Sequence, residues 1–162
     1  MTDTHDALWL DAAQQRAWRA YLVGSTLLMD RLDRDLREAH DLSLPEYEIL
    51  VRLSEAPERR LRMAALADSL SHSRSRVTHT VSRMERGGLV DRVACVSDGR
   101  GVEARLTDKG FALLETAAHT HVRGVREYLV ALSTDDDFAA VGRVFDAVTD
   151  RLVSAQPGLD IR

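Results

Sequence analysis

The sequence predicts a mainly α fold carrying one small β-hairpin, on three observations. Apolar residues recur at spacings of three and four along most of the chain, the period of one buried helix face. The pattern changes to alternation once, between Leu89 and Leu106, around a polar turn that bears glycine. Aromatic residues are 5% of the composition and there are three prolines, a balance that favours helices over a β-sandwich. At 162 residues, 44% apolar and 30% charged, the chain has the length of one domain with accessory helices and enough apolar side chains for a core.

Residues 11–39 read as one long helix, with Ala13, Ala17, Ala20, Gly24, Leu28, Leu32, Leu36 and Ala39 as a stripe rich in small residues that lets another helix approach. Ser43-Leu44-Pro45-Glu46 is a capping box: Ser43 is the N-cap, Glu46 sits three residues later, and Pro45 is tolerated in the first turn. The helix it starts runs to about Glu55, burying Leu44, Tyr47, Leu50 and Leu53, and Ala56-Pro57 ends it. Two short helices follow, from about Met63 to Leu70 and from Ser73 to Arg86, the second stopped by Gly87-Gly88. Strands over 89–96 and 102–106 flank the turn Ser97-Asp98-Gly99-Arg100-Gly101. Thr107 caps a helix expected to reach Leu132. Ser133-Thr134-Asp135-Asp136-Asp137 opens the last helix, with acids where the helix dipole favours them and a stripe of Phe138, Val141, Phe145, Val148 and Leu152. Residues 1–10 and 156–162 read as tails.

The net charge of −4 is unevenly spread. Between Arg59 and Arg105 ten arginines face five acids, a local excess of +5, and the rest of the chain carries −9. A basic middle inside acidic flanks points to one surface built for a polyanion. One cysteine, Cys95, excludes an internal disulfide framework and a cysteine-built zinc site. No apolar run approaches the roughly 18 to 20 residues that span a bilayer, so no membrane partner is expected. The start Met1–Asp6 is acidic where a secretory signal is basic, so a reduced, cytoplasmic location is expected. There is no phosphate-cradling glycine loop, nucleophile elbow or His-Glu-x-x-His, so neither an enzyme nor a cofactor is expected. His119 and His121 point about 160° apart on a helix and cannot chelate one ion unaided, so no metal is expected.

Helix, tight turn, helix and hairpin form a winged helix-turn-helix, spanning residues 43–106. Its second helix should enter a DNA major groove, which admits one α-helix and displays a distinct pattern for each base pair. At about 100° per residue from Val77, Val81 and Met84 fall within roughly 40° on the core side, and Ser75, His79, Ser82 and Arg86 fall opposite. Arg76, Thr78 and Arg83 flank them. With Ser73 and Arg74 at the start, the outward face is hydroxyl, imidazole and guanidinium, groups that read base edges and hold phosphates. The only acid, Glu85, lies near the helix end. At the hairpin tip Arg100 suits a narrow minor groove, and Asp98 can hold it in one orientation.

The run Leu66-Ala67, Ser73-Arg74-Ser75-Arg76-Val77-Thr78, Met84-Glu85-Arg86-Gly87-Gly88-Leu89-Val90, Asp98-Gly99-Arg100-Gly101-Val102 and Leu106-Thr107-Asp108-Lys109-Gly110 resembles the multiple antibiotic resistance regulator (MarR) family over nearly the whole chain. The resemblance implies a homodimeric transcriptional regulator, a repressor, on a palindromic double-stranded DNA operator. It assigns residues 11–39 and 107–155 to dimerisation and Arg100 to the minor groove. It also implies release by a small-molecule effector, in a pocket lined by Trp18, Arg19, Tyr21 and Tyr47. Arg76 stands where a small Thr or Ser is frequent and His79 where Arg is frequent, so the base preference of relatives does not transfer. Independently of the resemblance, three terminal helices with strong apolar stripes exceed what the small central unit needs, which also points to a dimer. Two other readings are a redox-responsive regulator acting through Cys95 and a helical dimerisation module with no DNA role. The second leaves the arginine-rich face unexplained.

Overall fold

The computed structural model describes residues 9–95 and 101–153. Helix α1 (Ala12–His40) starts on Asp11, whose carboxylate accepts from the Gln14 N–H at 2.8 Å while the Gln14 side chain accepts from the Asp11 N–H. Helix α2 (Leu44–Glu55) carries the Ser43–Glu46 box expected of it. The next element was not anticipated. A 3-10 turn, Pro57–Arg59, with Glu58 and Arg59 both at positive φ, delivers a short strand β1 (Arg60–Arg62). Three residues are too few to show alternation, and β1 exists only because β3, some forty residues later in the chain, supplies its hydrogen-bonding edge.

Helix α3 (Met63–Ser69) and helix α4 (Arg74–Arg86) are joined by a turn in which Ser71 takes φ 52° and the His72 N–H reaches the Ala67 carbonyl at 3.1 Å. That is a Schellman-type stop, with a serine where glycine is commoner. Strands β2 (Val90–Ala94) and β3 (Val102–Leu106) form the hairpin, and the sheet is three-stranded and antiparallel in the order β1-β3-β2 rather than a lone hairpin. Its pairs include Arg60 with Arg105 and Val90 with Leu106. Helix α5 (Asp108–Tyr128) stops short of Leu132: Leu129 leaves the α region and a 3-10 turn, Val130–Leu132, follows. Apolar spacing is nearly the same in both helix types, so periodicity alone cannot place that break. Thr134 then caps α6 (Asp135–Val153), its hydroxyl oxygen accepting from the Asp137 N–H at 3.2 Å.

The core is built around α2. Leu44, Tyr47, Ile49, Leu50 and Leu53 are buried, and Leu36, Leu66, Val77, Val81, Met84, Val90, Leu106, Leu114 and Ala117 close over them. Of the small-residue stripe on α1, only its C-terminal part is packed within the chain: Leu32 and Leu36 are buried, whereas Ala13, Ala17, Ala20, Gly24 and Ala39 are exposed. Leu32 sits over Gly124 of α5, where a Cβ would approach its Cδ2 to 2.8 Å, so glycine permits the close helix crossing. His40 Nε2 meets the Thr120 hydroxyl at 2.8 Å, a second tie between α1 and α5. Among the described residues no helix is long and apolar enough to cross a membrane.

The start of α5 is latched to the end of α4. Thr107 accepts from the Gly110 N–H at 3.0 Å, while its hydroxyl hydrogen is shared between the carbonyls of Gly88 and Leu89. Lys109 Nζ donates to the Gly87 carbonyl at 2.7 Å, a cation on a helix C-terminus. Gly110 lies so close beneath Leu89 that a Cβ would meet its carbonyl oxygen at 2.1 Å. Gly110→Ala is therefore expected to destabilise the protein by about 1–3 kcal/mol or more, because the obstacle is backbone and cannot rotate away. Urea unfolding of the variant measures it, and wild-type stability would show that the latch can shift.

Helix α5 also faces α2 through the rings of His121 and Tyr47, 4.6 Å apart. His121 Nδ1 is buried with no hydrogen-bond partner, and burial pushes the imidazole below its ordinary range. Burial, helped by Arg76, moves His72 the same way. The folded chain thus favours the neutral rings, and the unfolded chain takes up protons first as the pH falls. Their contribution is complete above the unfolded-state pKa of about 6.5 and declines as the pH drops below it. Thermal melts between about pH 7.5 and 5.5 should show that decline, and His121→Phe should reduce it. An identical decline in the variant would remove His121 from the account.

Candidate nucleic-acid interface

Helix α4 is oriented by three side chains. Val77, Val81 and Met84 are at most 1% exposed, and pinning them inward turns the opposite face to solvent. Ser73 caps the helix, its Oγ accepting from the Arg76 N–H at 3.3 Å. Ser73, Arg74, Ser75, Arg76, Thr78, His79 and Arg83 are all exposed, and so is Arg86; Ser82, expected on the same face, is half-buried. Thr78 spends its hydroxyl hydrogen on the Arg74 carbonyl at 2.8 Å, so it offers a ligand its methyl and oxygen lone pairs.

The basic middle of the chain is not uniformly basic in space. Arg92 is bound to Glu85 (2.7 Å), Arg105 to Asp91 (2.8 Å) and Arg59 to Asp108 (3.6 Å). Arg59 also lies over the Phe111 ring, 3.8 Å from its centroid. Arg60 reaches Glu58 and Glu103. The one acid of α4 is thereby neutralised by the hairpin, and the Arg92 bonds hold the Glu85 carboxyl below its usual range. Arg74, Arg76 and Arg86 have no carboxylate within 4 Å among the described residues, so the excess positive charge collects on α4.

Arg83 differs from those three. Its Nε donates to Glu46 Oε1 at 2.8 Å, joining α4 to α2. Glu46 is buried. Desolvation opposes its charge, but hydrogen bonds from Ser43 and the Arg83 guanidinium prevail and hold the carboxyl below the usual range. Sequence reasoning found Glu46 as a cap and missed this second partner, which lies 37 residues away and has no local signature.

The hairpin strands place the expected wing. Asp98 and Arg100 themselves lie outside the described residues. Cys95 closes β2: its N–H donates to the Gly101 carbonyl at 2.8 Å, and its buried thiol donates to Glu103 Oε1 at 3.3 Å. Arg92 and Arg105, the cations that could favour a thiolate, are engaged by Glu85 and Asp91 instead. The redox reading through Cys95 gains no support from this geometry.

A cavity of about 660 Å³ lies between α1, α2, α5 and the turn before α4. Leu28, Met29 and Leu32 line one wall, Tyr47, Glu48, Val51 and Arg52 another, His121 and Val125 a third, and Ser71 and His72 the side nearest α4. Of the four residues expected to line a pocket, Tyr47 lines this cavity. Trp18 stacks on Tyr21 (5.5 Å between centroids), Tyr21 meets Phe145 of α6 (5.4 Å), and Arg19 is on the same exposed end of α1, several turns from the cavity. Burial pushes the Glu48 carboxyl up against the pull of Arg52 and Arg76. Val51 and Glu55, which sequence reasoning missed, had a visible signal: they continue from Tyr47 at spacings of four, a second stripe on α2. His119 is exposed while His121 is half-buried, and among the described residues no three metal-ligating groups converge.

The model of the MarR family matches residues 40–101. The chain is 31% identical over 124 residues to the HTH-type transcriptional regulator PecS of Dickeya dadantii, covering 74% of this chain and 74% of that protein. It is 38% identical over 76 residues to the HTH-type transcriptional repressor Rv2887 of Mycobacterium tuberculosis, 47% of this chain and 53% of the other. Among solved structures it is similar to Sco3205, a MarR family transcriptional regulator from Streptomyces coelicolor crystallised in complex with DNA. The identity is 40%, the match covers 93% of this chain and 92% of that one, and the TM-score is 0.87. With the winged helix-turn-helix, the acid-free cationic face of α4 and these likenesses together, the chain belongs to the MarR family of transcriptional regulators, which are DNA-binding proteins rather than enzymes.

Proposed function

We propose that this chain is a homodimeric repressor that recognises a palindromic operator and is released by a small-molecule effector. The observation that carries the reading is the outward face of α4, where Arg74, Arg76 and Arg86 stand without a carboxylate within 4 Å among the described residues. In this reading Ser73, Arg74, Ser75, Arg76, Thr78 and His79 enter the major groove and Arg83 takes the backbone beside it. Arg100, oriented by Asp98, takes the adjacent minor groove. Repression follows from occupancy of the operator, and the name of Rv2887 as a repressor supports that sign.

The dimer reading rests on apolar surface that the single chain leaves uncovered. Helix α6 buries no residue, and Phe138, Val141, Val144, Phe145, Val148 and Leu152 are each 40% exposed or more. Trp18, Leu22, Val23 and Leu27 extend the patch along α1. A second copy covering these faces would set two α4 helices about 34 Å apart, one turn of DNA. An effector in the cavity would touch α1 and α5 on one side and the turn before α4 on the other, and so bias that spacing. Tyr47 belongs to that site, while Trp18, Arg19 and Tyr21 fit the subunit interface better.

Fluorescence anisotropy with a duplex selected from a random pool tests the function. Binding is expected with log affinity falling steeply against log salt, and no binding at low salt to any selected duplex would refute the reading. Val148→Asp should give a single-chain mass in light scattering and weaken operator binding together, because the second half-site then binds without the gain of linkage. A variant that is monomeric and still binds at wild-type affinity would separate DNA binding from assembly.

A further inference from the structure

The guanidinium of Arg83 is held on one edge and open on the other. Its Nε is bonded to Glu46 Oε1 at 2.8 Å, yet its side chain is 57% exposed where that of Glu46 is 11%. The second oxygen of Glu46 is committed: Oε2 accepts from the Ser43 N–H at 2.9 Å and from the Ser43 hydroxyl at 2.5 Å. The carboxylate therefore cannot rotate without breaking the cap of α2. Arginine has five N–H donors in a rigid fork, and the Glu46 contact occupies one. On the helical wheel Arg83 sits on the flank of α4, on the same side as Arg76. A groove-bound helix turns its centre line to base edges and its flanks to the sugar–phosphate walls.

We propose that Glu46 and Arg83 form a preset phosphate clamp, with Glu46 as the positioning residue and the terminal amino groups of Arg83 as the donors to one backbone phosphate in each half-site. The inference rests on the DNA-binding reading above. A free arginine loses rotamer freedom when it grips a phosphate, whereas this one has lost it on folding. The buried carboxylate also ties the register of the contact to α2, so the phosphate, α4 and the cap of α2 are joined through one rigid group.

The clamp and simple charge counting make opposite forecasts. Removing a carboxylate near DNA should tighten binding if only charge matters. If Glu46 positions Arg83, Glu46→Gln should weaken it by about threefold or more, with the salt slope unchanged, since no cation is lost. Glutamine still serves at this position of a capping box, so the variant is expected to fold. Arg83→Ala should bind about tenfold or more weaker, with a slope shallower by about two for a dimer, one contact per half-site. Arg83→Lys keeps the charge but not the fork, so it should keep the slope and still lose affinity. All are measured by anisotropy on the duplex selected by the wild-type protein, with circular dichroism melts beside them. Tighter binding by Glu46→Gln, an unchanged slope in Arg83→Ala or wild-type affinity in Arg83→Lys would each overturn the clamp. A wild-type protein that binds no selected duplex would instead overturn the DNA reading beneath it.

Discussion

The inward anchoring of Val77, Val81 and Met84 against α2 is the constraint on which the functional surface depends. A helix has one rotation about its axis, and burying three side chains on one line fixes it. Everything opposite is then outward by geometry, whatever its chemistry. Both ends of α4 are held as well, by the Ser73 cap at the start and by the Arg83–Glu46 bond and Lys109 on the Gly87 carbonyl at the last turn. A surface meant to match DNA tolerates little movement, since a small rotation carries a base-reading side chain past its partner. Rigidity here comes from a few buried contacts and charge-assisted hydrogen bonds.

Electrostatic selectivity arises by subtraction. The chain sets four arginines on α4 and neutralises several of those that neighbour it in the sequence. Arg59, Arg60, Arg92 and Arg105 each meet a carboxylate, mostly across the small sheet or at its edges, where exposed pairs add little stability. Their effect is on the field. With those charges cancelled, Arg74, Arg76 and Arg86 are left without a carboxylate partner among the described residues, and a polyanion is steered to the face of α4.

The cavity and the uncovered apolar faces both touch the elements that hold that surface. Leu32 packs on α5 at Gly124, Tyr47 packs on His121, and His72 begins the approach to α4. Helices α1, α2 and α5 thus join the proposed effector site, the proposed subunit interface and the reading head in one packed unit.

Local chemistry was legible in the sequence. The two-sided period of α4, the Ser43–Glu46 box, the Gly87-Gly88 stop, the alternation of the hairpin strands and the Thr107 cap all depend on residues within one or two turns of each other. The family motif added the link from Leu106-Thr107 to Gly110, and the structure supplied its physics as a latch on α4. What the sequence could not decide was which distant groups meet. Strand β1 exists by pairing with β3, Arg83 finds Glu46 across 37 residues, Tyr21 meets Phe145 of α6 with Trp18 stacked on it, and four others of the ten central arginines are cancelled by acids brought beside them. Helix periods and caps follow from the covalent order of the chain. The partner of a long charged or aromatic side chain depends on how elements pack, and only the tertiary structure sets those distances.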